Sequence, residues 1–226
     1  MIIVTGVSGG IGSVISNDLS MTDSIVGLYN TNKPTNKNKG ILYEQIDLQD
    51  ENQIIEFTDK YRAELSNITL VHCAAVKSDK LMVNIDSSDW QAIFDVNVKG
   101  SFLLTKHILK IMMGDRWGRV IFLSSKGSEA GDIGTAAYSS SKTALLGMSR
   151  TLSKEYASFG ITSNVISLGA FNAGLYLDLS KKVKKEILEK IPSKKVGNIV
   201  NISNAIKFII SSDYVNGSVI TIDGGV

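Results

Sequence analysis

Ile2-Ile3-Val4-Thr5-Gly6-Val7-Ser8-Gly9-Gly10-Ile11-Gly12 is the stretch whose reading decides the fold. A short apolar run ends in four glycines within seven residues, and a helical pattern through Val14, Ile15 and Leu19 follows at once. A buried parallel strand, a glycine-rich turn and a helix start make a ready anion site, because free backbone N–H groups and the positive end of the helix face the same point. The spacing, Gly-x-x-x-Gly-x-Gly, differs from the Gly-x-Gly-x-x-Gly of many dinucleotide-binding turns. Four glycines are more than a merely tight turn requires, so Gly6, Ser8, Gly9, Gly10, Ile11 and Gly12 are expected to hold a phosphorylated cofactor.

Working outward, Ser24 to Tyr29 reads as a second strand and Ile41 to Ile46 as a third. The polar loop Asn30 to Gly40 joins them where a helix would normally lie, a shortened crossover. An acid at the end of the second strand would hold the adenosine ribose hydroxyls and repel a 2′-phosphate. Asn30, Thr31, Asn32 and Lys33 supply no acid and one cation, which favours NADP(H) over NAD(H). Gly9 argues the other way, standing where a basic residue would help grip that phosphate. Asp47, followed by Leu48, can accept a hydrogen bond from the adenine amino group; the alternative is a cap for a helix from Asp50 to Leu65. Ile68 to Cys73 is the next strand, and Ala74 and Ala75 after it are small enough to let a cofactor approach the backbone. His72 and Cys73 are expected to be packed residues and not catalytic groups.

Asp86 to Met113 is largely helical, with a local break expected near Asn97 that frees a backbone carbonyl for water. Arg119 to Leu123 makes the fifth strand, ended by Ser124-Ser125-Lys126-Gly127. Ligands of parallel sheets bind outside the carboxyl ends of the strands, so the glycine turn, Ala74-Ala75 and Ser125 should open on one rim. A loop then returns over that rim to a long helix carrying Tyr138 and Lys142. Residues four apart share a helix face, and a phenol, with a pKa of about 10, is drawn toward neutral pH by a neighbouring cation. Ile161 to Ile166 is a further strand, Asn204 to Ile210 a helix and Ser218 to Ile222 the last strand. Between them, residues 170–196 form an approximate lid with a lysine run from Lys181 to Lys195: either the wet face of a helix or a charge that recruits an acidic or phosphorylated substrate.

Bulk properties narrow the class. At 226 residues and 43% hydrophobic, with two prolines and no linker-like stretch, the chain reads as one α/β domain over residues 1–226. A net charge of +2 with interspersed signs points away from nucleic acid and from a membrane surface. One cysteine and two isolated histidines leave no metal site and no intrachain disulfide. With no basic-apolar leader ahead of Ile2 and no run of about 20 apolar residues, a cytoplasmic location is expected.

Together, Thr5-Gly6-x-x-x-Gly10-Ile11-Gly12, Asp47-Leu48, Asn97, Ser125, Tyr138-x-x-x-Lys142, Asn164-Val165-Ile166 and the terminal Asp223-Gly224-Gly225 resemble the short-chain dehydrogenase/reductase family nearly end to end. Within it, Trp90 with Asn97, Gly118-Arg119-Val120-Ile121 and Ile191-Pro192-Ser193-Lys194-Lys195-Val196-Gly197 are most similar to the 3-oxoacyl-[acyl-carrier-protein] reductases. The resemblance implies a Rossmann-type doubly wound parallel sheet of about seven strands. It also implies reversible hydride transfer between a nicotinamide and a carbonyl or secondary alcohol, on a small or carrier-bound substrate. In that scheme Tyr138 donates the proton, Ser125 binds the same oxygen, Lys142 holds the nicotinamide ribose and lowers the Tyr138 pKa, and Asn97 holds a relay water. Gly169 and Phe171 join the cofactor contacts, and apolar helices from Phe102 to Met112 and Leu145 to Phe159 imply a homo-oligomer, dimer or tetramer. Departures are His72-Cys73-Ala74-Ala75 for the usual Asn-Asn-Ala-Gly, Leu168-Gly169 for Pro-Gly, and Ala173 for a Thr. A reductase of another ketone and a non-catalytic nucleotide-binding scaffold stand as alternatives.

Overall fold

A computed structural model of the protein describes residues 1–34 and 38–226. Seven strands form one sheet: β1 (Ile2–Thr5), β2 (Ile25–Tyr29), β3 (Ile41–Gln45), β4 (Thr69–His72), β5 (Gly118–Ser125), β6 (Ile161–Leu168) and β7 (Val219–Ile222). Their order is β3-β2-β1-β4-β5-β6-β7 and every pairing is parallel. The order reverses direction at β1, whose neighbours are β2 and β4, and there the carboxyl ends of two adjacent strands diverge into a crevice.

Period-two alternation explains the two cores. Ile3, Leu70, Val120, Phe122 and Val165 point to one face, where α2 (Glu51–Lys60), α4 (Ser101–Asp115) and α6 (Ala136–Glu155) cover them with Ile54, Phe57, Leu104, Ile108 and Leu145. Ile2, Val4, Val71, Ile121 and Ile166 point to the other, under α1 (Gly10–Leu19) and α8 (Val200–Ser211) through Ile15, Leu19, Ile202, Ile206 and Ile209. Buried on both faces, the central strands read as near-continuous apolar runs. The fold is the doubly wound α/β sheet expected.

Local differences have physical causes. The helix expected over 50–65 ends at Lys60, and its cap is Asp50, whose carboxylate accepts the Asn52 N–H at 3.0 Å. The helical stretch from Asp86 divides into α3 (Ser87–Phe94), a π-helical turn over Asp95–Gly100 and α4, so the break at Asn97 is a widened turn. The loop expected between Ser125 and Tyr138 begins with a short helix, α5 (Lys126–Ala130). Within 170–196, α7 (Lys181–Lys190) is helical, with the Ser180 hydroxyl accepting the Val183 N–H at its start. The β2–β3 crossover carries no helix over its described residues, and residues 35–37 of the polar loop lie outside them. Among the described residues no helix is long and apolar enough to cross a membrane.

Candidate functional site

The glycine turn is shaped by contacts between backbones. Gly6 takes a left-handed φ of +70°, and a Cβ there would lie 2.8 Å from Ala74 Cα. A Cβ on Gly12 would lie 2.3 Å from the Gly6 carbonyl oxygen. The buried Thr5 hydroxyl oxygen accepts both the Cys73 and the Ala74 N–H at 3.0 Å, tying the end of β1 to the end of β4. No side chain caps α1, so its N-terminal N–H groups stay free for an anion. These are the marks of a phosphate cradle, and a dinucleotide fits the donor set.

Two cavities meet at that turn and share Gly6, Gly9, Cys73, Ala75 and Val76. One, of about 330 Å³, runs past the carboxyl ends of β2 and β3 and is lined by Ser8, Asn30, Asp47, Leu48 and Ala74 among others. The other, of about 620 Å³, runs the opposite way past Gly10, Ile11 and Gly12 to Tyr138 and Lys142. Gly169 and Phe171 lie instead on a neighbouring cavity of about 220 Å³ with Ser125 and Tyr138. Phe171 is itself buried, its ring packed where a Gly197 Cβ would be. Asp47 accepts the Gln49 N–H at 3.0 Å, so the carboxylate is fixed by its own turn.

At the far end the groups come from two elements. Ser125 ends β5, and Tyr138 and Lys142 share one face of α6. The Lys142 ammonium donates to the Leu123 carbonyl at 2.8 Å and stands 5.8 Å from the centre of the Tyr138 ring. Burial pulls Lys142 down to about 8, with proximity to Cys73 opposing it. Tyr138 is pushed above the ordinary phenol value, first by burial; a hydrogen bond from Ser125 lowers it and the Asp79 carboxylate raises it. The phenol was expected to be drawn down; it is raised instead, with burial the first cause, while the Lys142 ammonium is engaged by the Leu123 carbonyl.

Asn97 lines none of these cavities. Its amide accepts the Val76 N–H (2.8 Å) and donates to the Val76 carbonyl (3.0 Å) and the Ser141 hydroxyl (2.9 Å). Its main-chain carbonyl, expected to be open to water, accepts the Ser101 hydroxyl at 3.0 Å. Asn97 therefore stitches the loop after β4 to α6. His72 is a buried packing residue: it stacks on Phe122, bonds the Thr105 hydroxyl at 2.9 Å and is driven down to about 3 by burial. Cys73, with its thiol pushed up to about 12 by burial, is no thiolate. Sequence reasoning missed Lys77, which lines every one of the three cavities that Tyr138 lines. No motif marks it, and only the path of the β4–α3 loop brings it there.

A sequence model described as short chain dehydrogenase matches residues 1–184. The 3-oxoacyl-[acyl-carrier-protein] reductase of Buchnera aphidicola subsp. Baizongia pistaciae is 32% identical over 99% of this chain and 95% of its own length. That of Rickettsia felis has the same identity and coverage, and Nodulation protein G of Rhizobium sp. (strain N33) is 31% identical, again over 99% and 95%. With the sheet order, the glycine turn and this coverage together, the chain belongs to the short-chain dehydrogenase/reductase family and is an oxidoreductase.

Proposed function

We propose that the protein is an NADP(H)-dependent ketoreductase acting on 3-oxoacyl thioesters, with residues 1–226 serving as one cofactor-binding and catalytic domain. The observation that carries this reading is the continuous cleft, with its glycine turn in the middle and Tyr138 and Lys142 at one end. Asn30 and Asp47, with Leu48 and Ala74 as walls, would hold the adenosine. Gly6, Ser8, Gly9, Gly10, Ile11 and Gly12 would hold the pyrophosphate. Ala75, Gly169 and Phe171 would border the nicotinamide side. The choice of NADP(H) rests on the end of β2, where Asn30, Thr31 and Asn32 present no carboxylate to repel a 2′-phosphate.

A bound nicotinamide supplies hydride exchange with the substrate carbon. Tyr138 gives its phenolic proton to the carbonyl oxygen as negative charge develops there. Ser125 hydrogen-bonds that oxygen and the phenol, stabilising charge where it appears. The raised phenol pKa keeps Tyr138 protonated and ready to donate at neutral pH. Lys142, held at the Leu123 carbonyl, orients the nicotinamide ribose and resupplies the proton, for which a pKa of about 8 is well placed. Asn97 fixes Val76 and α6, and the second lone pair of its carbonyl serves a relay water. A groove of about 490 Å³ between α4 and α6, walled by Phe102, Leu109, Met113, Met148, Leu152 and Tyr156, is the seam of a homodimer or homotetramer in the cytoplasm.

Turnover of an acetoacetyl thioester, followed at the NADPH absorbance beside NADH, tests the reading. It expects reduction with NADPH at least about tenfold more efficient than with NADH. No oxidation of either cofactor across a broad carbonyl panel would overturn it.

A further inference from the structure

Lys77 borders the space that Ser125 and Tyr138 line. Its ammonium contacts Asp79 Oδ1 at 2.9 Å, and the pair is unequally covered, Lys77 26% and Asp79 63% exposed. Lys77 lines the cavities of about 620, 220 and 120 Å³ that Tyr138 also lines, and Ser125 lines the last two. The Asp79 carboxylate is close enough to raise the Tyr138 phenol, so the ammonium bound to it lies in the same neighbourhood.

Among the described residues lining these three cavities the cations are Lys77 and Lys142, and Lys142 is held at the Leu123 carbonyl. An ion pair whose carboxylate is largely exposed costs little to rearrange, and an ammonium has three N–H donors of which Asp79 engages one. Lys77 is therefore placed to bind an oxygen near the reacting carbonyl. Asp132 and Asp178 on the same walls disfavour a carboxylate there and leave a neutral acceptor as the better fit.

We infer that Lys77 sets substrate specificity by donating to the second carbonyl of a 1,3-dicarbonyl substrate, the thioester oxygen one methylene from the ketone. The inference rests on the ketoreductase reading and deepens it. A ketone without that second carbonyl gains nothing from Lys77. The quantity to read is thus the ratio of kcat/KM for acetoacetyl-coenzyme A to kcat/KM for cyclohexanone, both with NADPH. Any effect of the variant on Tyr138 or on the cofactor enters both terms and cancels.

Lys77→Met should lower this ratio at least about tenfold, in line with loss of a hydrogen bond from a charged donor, and Lys77→Arg should keep it within about threefold of wild type. A ratio unchanged within about twofold in Lys77→Met, or a comparable fall in Lys77→Arg, would overturn the inference while wild type still reduces the thioester. If wild type reduces cyclohexanone and leaves the thioester untouched, the ketoreductase reading on thioesters fails and this inference fails with it.

Discussion

The two ends of the cleft are built differently. At the glycine turn the surface is main chain: Gly6 against Ala74, Gly12 against the Gly6 carbonyl, and Gly10 against the stretch after β6, where a Cβ would lie 2.3 Å from the Gly174 nitrogen. At the Tyr138 end it is side chain: a phenol and an ammonium from α6 and a hydroxyl from β5, with Asn97 behind them. A backbone surface fails when atoms are added, and a side-chain surface fails when they are removed. Binding and chemistry should therefore separate cleanly in variants from the two ends.

The sharpest break in that comparison is Tyr138→Phe, which deletes one oxygen at the chemical end. We expect kcat to fall by about 10³-fold or more, with NADPH affinity by fluorescence titration within about threefold of wild type. Gly12→Ala does the opposite. Its added methyl meets the Gly6 carbonyl oxygen, and NADPH affinity should drop at least about tenfold, with a loss of ~2 kcal/mol in stability from overpacking.

Asn97→Ala tests whether the chemical end depends on its stitching. It removes both side-chain partners of the Val76 N–H and carbonyl and the donor to the Ser141 hydroxyl, which keeps its own bond to the Tyr138 carbonyl, and urea denaturation should show a loss of ~2 kcal/mol. Lys142→Met, beyond its cost to turnover, has an effect on stability that is read against pH. Burial lowers the folded-state Lys142 from 10.5 to about 8, so between those values the unfolded chain holds more protons and stability rises with pH. The wild-type-minus-variant stability should climb by on the order of 3 kcal/mol from pH 8 to 10.5; a flat difference would remove burial as the cause. The smallest expected effect is at the junction: Cys73, its thiol near 12, should alkylate at pH 7.5 at least about tenfold more slowly than a free thiol.

The same contrast explains what was legible in the sequence. Main-chain sites leave glycines and small residues at fixed spacing, so the turn, its strand and its helix could be read directly, and the α6 pair followed from helical spacing. Asn97 was legible as a position but not in its partners, because the bonds to Val76 and Ser141 join elements far apart in sequence. Asp50, not Asp47, caps α2, a choice between two acids three apart that composition leaves open. The direction of the Tyr138 shift was misread because the distance along a helix says nothing about burial, the largest cause here. Lys77 was invisible since a lysine in a polar loop looks like any solvated charge until the loop is folded over the rim.

The central claim is that one dinucleotide spans both ends, adenosine between Asn30 and Asp47 and nicotinamide beside Tyr138. A crystal structure of the protein with NADP⁺ measures this directly. The pyrophosphate should lie on the N–H groups of the glycine turn and the nicotinamide ring should touch the space shared by Ser125 and Tyr138. A nicotinamide lodged away from Tyr138, or a cofactor reversed in the cleft, would contradict that claim.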